Sequence, residues 1–381
     1  MMKILTLLLF LAMVSPYSAI IHKESVSMDY GKRFDSNILL PDSVTGKSAI
    51  ITEVSVAPSF LVQFNPATML KCGFSMGAEE QDAFPNTNVK RLGLSMNSKH
   101  LFSHLTMAGM GAEWNKSYSD NAFYESNDFA VWLLGGRYLS PKTNLEINLT
   151  GTQKSFPSLY RNSIKDLAQK SFYYDYRQTE LECQYRRIQS EQWSFVWTLS
   201  GGYKDFYNDT HDSDYVGYFP VIDYIDINTG DTIYLPPEDS VVPIYQANIH
   251  QKDKNLYTGL SATWSPVKGL AFMPRLSGRM TFSNDEYFKS RSMSMETLAR
   301  YRFGQAFVKL SYNFQYETYP ARKKPDDGRW EKSHYAGLTY GYDLFENISL
   351  QCGLNYRKFN SAADRDDYVK KTATLTLSAT R

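Results

Sequence analysis

The sequence predicts an all-β fold: a transmembrane, antiparallel, up-and-down β-barrel of about fourteen strands, with short periplasmic turns and long outer loops. Three observations carry this. Apolar and polar residues alternate with period two, again and again, from about Met69 to the C-terminus. The alternating stretches run to about ten residues or more, as a tilted membrane strand requires, whereas ordinary strands average about five or six. Short and long connections take turns along the chain, the asymmetry of a barrel with tight turns on one side of a membrane and loops on the other.

The alternation is clearest in five stretches. In 144–154, Leu145, Ile147, Leu149 and Gly151 alternate with Asn144, Glu146, Asn148, Thr150 and Thr152. In 193–203, Trp193, Phe195, Trp197, Leu199 and Tyr203 share a face. In 270–282, Leu270, Phe272, Leu276, Met280 and Phe282 oppose Ala271, Arg275, Ser277, Arg279 and Thr281. In 306–317, Ala306, Val308, Leu310, Tyr312, Phe314 and Tyr316 oppose Lys309, Ser311, Asn313, Gln315 and Glu317. In 347–358, Ile348, Leu350, Cys352, Leu354 and Tyr356 oppose Asn347, Gln351, Asn355 and Arg357.

Short turns are read at 97–100, 140–143, 189–192, 265–269, 304–305 and 345–346. Longer polar connections are read at 78–87, 116–127, 156–171, 208–253, 283–292, 320–332 and 360–367. The strands then fall near 69–77, 88–97, 101–115, 128–139, 143–155, 172–188, 192–207, 254–264, 269–282, 293–303, 306–319, 333–344, 347–359 and 368–380. The count rises to sixteen if Val54–Phe64 and a segment near Ser25–Phe34 also pair. Otherwise residues 20–67, with Pro41, Gly46, Pro58 and one apolar patch from Ala57 to Phe64, form a periplasmic lead-in or partial plug ahead of a barrel over 68–381.

The N-terminus reads as a secretory signal peptide over 1–19. Met1-Met2-Lys3 is a short basic start, Ile4 to Val14 an apolar run, and Ser15-Pro16-Tyr17-Ser18-Ala19 a small-residue region for cleavage. Beyond Val14 no apolar run is long enough for a membrane-spanning helix. With 41 basic and 40 acidic residues, the charge balance gives no reason to propose a nucleic-acid partner. Tyr (28), Phe (22) and Trp (6) suit sites that are half apolar and half wet. Cys72, Cys183 and Cys352 are far apart and share parity with apolar neighbours, so they are expected to face lipid as small apolar groups.

Charges cannot sit in hydrocarbon, so the polar face becomes the candidate lumen. Its acidic members include Glu146, Glu180, Glu182 and Glu296. Its basic members include Arg186, Arg275, Arg279, Arg300, Arg302, Lys309 and Arg357. Lys154, Lys204 and Glu317 share that parity. Basic residues outnumber acidic ones there, which leads to the expectation of a mild preference for anionic solutes. A mutually neutralising network filling the bore is the other arrangement such residues allow.

The 208–253 connection is acidic and carries no Lys or Arg before Lys252. Asp209, Asp212, Asp214, Asp223, Asp226 and Asp231 are its candidate surface residues. Inside it, Val221–Ile227 and Asp231–Leu235 flank Asn228-Thr229-Gly230, a hairpin turn sequence. The spacing of Asp226, Asn228 and Asp231 resembles part of a calcium loop, but later ligands are missing, and a plain hairpin is the better reading. A lid or a docking surface is the role expected of such a loop. No hydrolase or nucleotide-binding motif is present. Of the six His, only His211, among Asp209, Asp212 and Asp214, has acidic company, and a solvated side chain explains it better. No enzyme, cofactor or metal is expected.

Phe64-Asn65-Pro66-Ala67 followed by an alternating strand resembles the Asn-Pro-Ala opening of several outer-membrane barrel families, among them long-chain fatty-acid-type transporters and secretion-associated barrels. A wider similarity spans roughly 60–381. It takes in Arg91-Leu92-Gly93-Leu94-Ser95, Leu159-Tyr160-Arg161-Asn162, Tyr174-Asp175-Tyr176 and the Tyr-rich hairpins. On these residues the chain resembles an outer-membrane barrel family of Bacteroidota known as a domain of unknown function. The resemblance implies fold and location, the outer membrane of a Gram-negative bacterium, and transfers no functional residue. It departs at Leu375 to Arg381, where the usual terminal aromatic is missing. The function expected is a channel, or the barrel part of an uptake or secretion complex. Its partners would be outer-membrane lipid and a protein of an envelope complex. The alternative is a structural or adhesive barrel with a filled lumen and partner-binding loops.

Overall fold

The computed structural model describes residues 20–36, 49–82, 88–119, 125–156, 175–220, 222–225, 232–234, 241–284, 288–320, 329–362 and 368–380. The strands are β1 (Ile20–Asp35), β2 (Ala49–Asn65), β3 (Thr68–Gln81), β4 (Val89–Ser103), β5 (Thr106–Tyr118) and β6 (Ser126–Ser140). They continue with β7 (Thr143–Ser155), β8 (Tyr176–Ile188), β9 (Trp193–Pro220), β10 (Ile222–Ile225), β11 (Thr232–Tyr234) and β12 (Val241–Val267). The last six are β13 (Leu270–Ser283), β14 (Ser290–Phe303), β15 (Ala306–Thr318), β16 (Trp330–Phe345), β17 (Ile348–Ser361) and β18 (Tyr368–Thr380). All but β10 and β11 form one closed barrel in which each strand pairs antiparallel with its sequence neighbours, β9 pairs β12, and β18 closes on β1. Closure removes every free edge, so the wall satisfies its own backbone, as a chain in lipid must. Among the described residues no helix is long and apolar enough to cross a membrane.

The larger count is the one that forms. Residues 20–35 and 49–65, read from sequence as a lead-in or plug, are wall strands β1 and β2, joined along their length from Lys23↔Leu61 to Asp35↔Ala49. Their alternation is masked. Lys32 interrupts the apolar face of β1, and in β2 Pro58 sits within a run where Ala57 and Leu61 put apolar residues on the polar face too. A second correction concerns 97–100. These residues are inside β4, with His100 paired to Thr68, and the turn lies at His104-Leu105. There the Ser103 hydroxyl accepts the backbone N–H groups of Leu105 and Thr106, replacing the ladder. The proposed signal peptide lies outside the described residues.

Turn chemistry recurs at this end of the barrel. Asn65-Pro66-Ala67 is the β2–β3 turn: the Asn65 side-chain oxygen accepts the Ala67 N–H at 2.9 Å, an Asx turn. Gly269, in the β12–β13 turn, has φ 86°, and a Cβ there would meet the Arg302 carbonyl oxygen at 2.5 Å. At the loop end, side chains close the ladder where pairing stops. The Asp82 carboxylate accepts the Ile50 N–H, and Asn284 accepts that of Lys252.

One parity holds all the way round. Met28, Val54, Leu94, Leu133, Leu181, Leu256, Leu276, Leu310, Leu354 and Leu375 are exposed and share it. Asp35, Gln81, Asn144, Thr198, Ser200 and Asp253 are buried and share the other. On a cylinder, side chains splay apart on the convex face and crowd on the concave one. The apolar face is therefore the outside, and it belongs in hydrocarbon. Aromatic residues ring its turn end: Trp193 stacks on Trp264 at 5.5 Å and Trp264 on Phe272 at 5.4 Å. Such a girdle marks the lipid–water boundary.

β9 and β12 break the uniform height. They have 28 and 27 residues, against 13 to 17 in the other wall strands. At about 3.3 Å per residue they are roughly 90 Å long, far more than a tilted strand needs to cross a hydrocarbon core of about 30 Å. The extra length continues past the loop-side rim as one paired ribbon, with register shifts confined to the segment from Ile244 to Lys252. The hairpin read in this region forms as β10 and β11, with Ile225 opposite Thr232.

Candidate functional site: the inward face

Every residue read from sequence as lumen-facing is on the inward face. Glu146, Glu180, Glu182 and Arg186 form one group on β7 and β8, since Glu182 pairs with Asn148 and Arg186 with Asn144. Arg275 and Arg279 on β13, Glu296, Arg300 and Arg302 on β14, and Lys309 on β15 form a second group. Arg357 stands apart on β17, opposite Tyr335 and Lys370. Between the two groups, β9 and β12 present Thr198, Ser200, Tyr257, Gly259 and Ser261.

The two groups differ in their surroundings. Glu146, Glu180 and Glu182 are half-buried, and each accepts a hydrogen bond from an amide two residues along its own strand: Asn144 at 2.7 Å, Gln178 at 3.2 Å and Gln184 at 2.7 Å. Arg275, Arg279 and Arg300 are exposed. Arg275 donates to the Tyr257 hydroxyl at 2.5 Å and Arg279 leans on the same ring. Arg300 lies over Phe307 and has Lys309 as its cross-strand neighbour. Glu296 is opposite Arg275, yet its carboxylate receives the Asn313 amide instead. Among the described residues, none of Arg275, Arg279, Arg300 and Lys309 forms an ion pair. Arg302 does, with Asp343.

Sequence reasoning missed the contribution of the first strands. Asp29, Arg33, Glu53, Lys71, Glu79 and Arg91 face inward on β1–β4, and Glu113 and Asp128 on β5 and β6. Five carboxylates against three basic residues there offset part of the excess of basic residues counted from sequence. Arg33 bonds Glu53 at 2.9 Å and reaches Glu79 at 3.7 Å, and Glu79 holds Arg91 at 3.0 Å. Below that chain the wall is small-residued: Ser59, Gly73, Ser75, Gly93 and Ser95 leave a recess of 330 Å³. The signal was present on β3 and β4, where Leu70, Phe74, Met76, Leu92, Leu94 and Met96 oppose Gly73, Ser75, Gly93 and Ser95.

The outer-loop candidates are only partly placed. Asp209, Asp212 and Asp214 fall in β9 and Asp223 in β10. Asp226 and Asp231 lie outside the described residues. Cys72, Cys183 and Cys352 are free and share the outward parity, as read from sequence. Among the described residues no group of three or more His, Cys, Asp or Glu could hold a metal ion.

Fold and face together define a sixteen-stranded transmembrane β-barrel with a polar bore. No family model matches the chain, and no curated protein does. Solved structures do. OmpT, an outer membrane protein of Vibrio cholerae (in-vitro folded), is similar with TM-score 0.50 and 8% identity over 95% of this chain and 99% of that one. OccAB1 of Acinetobacter baumannii is similar with TM-score 0.50 and 9% identity over 96% of this chain and 98% of that one. The likeness is one of fold: the chain has the architecture of outer-membrane barrels, and its apolar belt matches such a bilayer.

Proposed function

We propose that the protein is a non-enzymatic channel of the Gram-negative outer membrane, passing small polar solutes along a bore with a weak preference for anions. One observation carries this: Arg275, Arg279, Arg300 and Lys309 stand inside the barrel with no carboxylate on them, three of them exposed. A filled bore would have neutralised such charges, because an unpaired charge out of water is costly. Sixteen strands also make a barrel wide enough to leave an aqueous channel. The outer-membrane likeness and the apolar belt support the location, and the resemblance to a Bacteroidota barrel family agrees with it.

Planar-bilayer recording tests the reading. The intact protein and a chain lacking 208–253 should both conduct, with a reversal potential on the anion side in a salt gradient. Silence from both would remove the channel. A cation-side potential would remove the role given to the basic residues.

The β9–β12 ribbon favours a second reading, in which the barrel is the membrane part of an uptake or secretion complex, or an adhesin. A paired ribbon standing outside the membrane offers a surface that conduction does not need. A stoichiometric protein recovered with the intact chain and lost on deleting 208–253 would support it.

A further inference from the structure

On β16, β17 and β18 the outward face is charged at one rim only. Lys332, Lys358 and Lys371 lie on β16, β17 and β18, all near the loop end and all exposed. Lys332 pairs with Asn360 and Lys358 with His334. Lys358 pairs in turn with Val369, and Lys371 with Tyr356. The three lysines are thus diagonal neighbours, their stems about 7–8 Å apart. No Asp or Glu occurs on the outward face of these three strands. At the turn end the same strands present Leu344, Ile348 and Ala379.

Directly below the lysines is a groove of 470 Å³. It exists because Ala336 and Ala373 are small while Leu338, Leu354, Tyr356 and Phe34 around them are large. Lys371 forms its upper end. The groove faces hydrocarbon and its mouth meets the headgroup layer. Three like charges side by side repel one another and demand anions. A phosphate at the lysines with an acyl chain in the groove satisfies both features at once. Lipid A in the outer leaflet is the molecule whose chemistry fits: a phosphorylated glucosamine lipid with several chains.

We infer that the loop-side rim of β16–β18 is a binding site for a phosphorylated glycolipid of the outer leaflet. Lys332, Lys358 and Lys371 hold its phosphates, and the groove between Ala336 and Ala373 takes one acyl chain. The site does not depend on whether the bore conducts.

The test uses the full-length protein in an uncharged detergent, with bound lipid read by native mass spectrometry. The probes are bisphosphoryl lipid A, the same lipid with its phosphates removed, and phosphatidylglycerol. Bisphosphoryl lipid A should be retained at least about tenfold better than either of the others, given the pull of clustered lysines on anionic headgroups. The triple variant Lys332→Gln, Lys358→Gln, Lys371→Gln should lose that preference. Ala373→Trp, which fills the groove with no change of charge, should weaken retention of all acylated probes. Heat-modifiable gel mobility reports folding of each variant. If the triple variant does not fold, Lys358→Gln alone decides: a loss of about threefold supports the site and no loss overturns it. Equal retention of phosphorylated and dephosphorylated lipid, or of phosphatidylglycerol and lipid A, overturns the inference. So does a preference that survives the triple variant.

Discussion

The inner walls of β1–β4 and of β13–β15 are built from the same kinds of residue and arranged oppositely. On β1–β4, two arginines and two glutamates link into a chain across four strands, Glu53–Arg33–Glu79–Arg91. On β13–β15, Arg300 and Lys309 are cross-strand neighbours, like charge beside like, and Arg275 ignores the glutamate opposite it. Paired charges spend their interaction on each other and tie strands together. Unpaired ones keep their field for whatever passes. The first wall is therefore structural, and the second faces solute.

Reversing the second wall is the strongest way to break this comparison. Arg275→Glu, Arg300→Glu and Lys309→Glu together replace three cations with three anions, at positions not tied into ion pairs. The bore should change from weakly anion-preferring to cation-preferring, a change in permeability ratio of about tenfold or more, because low-dielectric walls focus such charges. Reversal potentials in asymmetric salt measure it, and raising the salt should shrink the effect by screening. A ratio unchanged by the triple reversal would mean that solutes do not pass this wall.

A smaller effect is expected from the recess on β2–β4. Ser59→Phe with Ser95→Phe should fill much of its 330 Å³. Single-channel conductance should drop by less than about twofold, since the recess is a small part of a sixteen-stranded bore. The anion preference should stay. If the preference moves with the conductance, the recess wall also reads charge, and the contrast between the walls is too sharply drawn.

The difference between the walls also explains what the sequence made legible. β13 and β15 announce themselves because large apolar residues alternate with charged ones: Phe272 and Leu276 against Arg275 and Arg279, Leu310 and Phe314 against Lys309 and Asn313. Parity alone then places every inward candidate correctly. β1 and β2 are fainter by the same test and enter only as the sixteen-strand alternative. Lys32 faces outward near the loop-side rim, where a lysine can reach the headgroups, and Ala57 and Leu61 face inward near the turn end. Local pattern measures the contrast between two faces, and here the contrast is small. Ladder pairing with β3 and β18 recruits these strands instead, a non-local term that no window of sequence contains. The pairing state of each charge was equally hidden. It depends on which side chains share a row across strands, so Arg275 and Arg33 look alike in sequence.

The smallest effect should come from the paired wall. Glu79 holds Arg91 at 3.0 Å and lies 3.7 Å from Arg33, with its own side chain only 12% exposed. Glu79→Gln keeps shape and removes the charge both arginines share. Arg33 retains Glu53 at 2.9 Å, so one ion pair survives and Arg91, which is 54% exposed, turns to water. The loss is that of a partly exposed pair, about 1 kcal/mol or less. Urea unfolding in detergent should show a slightly lower midpoint with an unchanged slope. Ion selectivity should not move, although the substitution removes one inward anion, because the freed Arg91 lies among Ser and Gly at the far side from the Arg300–Lys309 pair. A selectivity shift as large as that of the β13–β15 reversal would show that pairing does not silence a charge in this bore, and would remove the distinction between the two walls at its root.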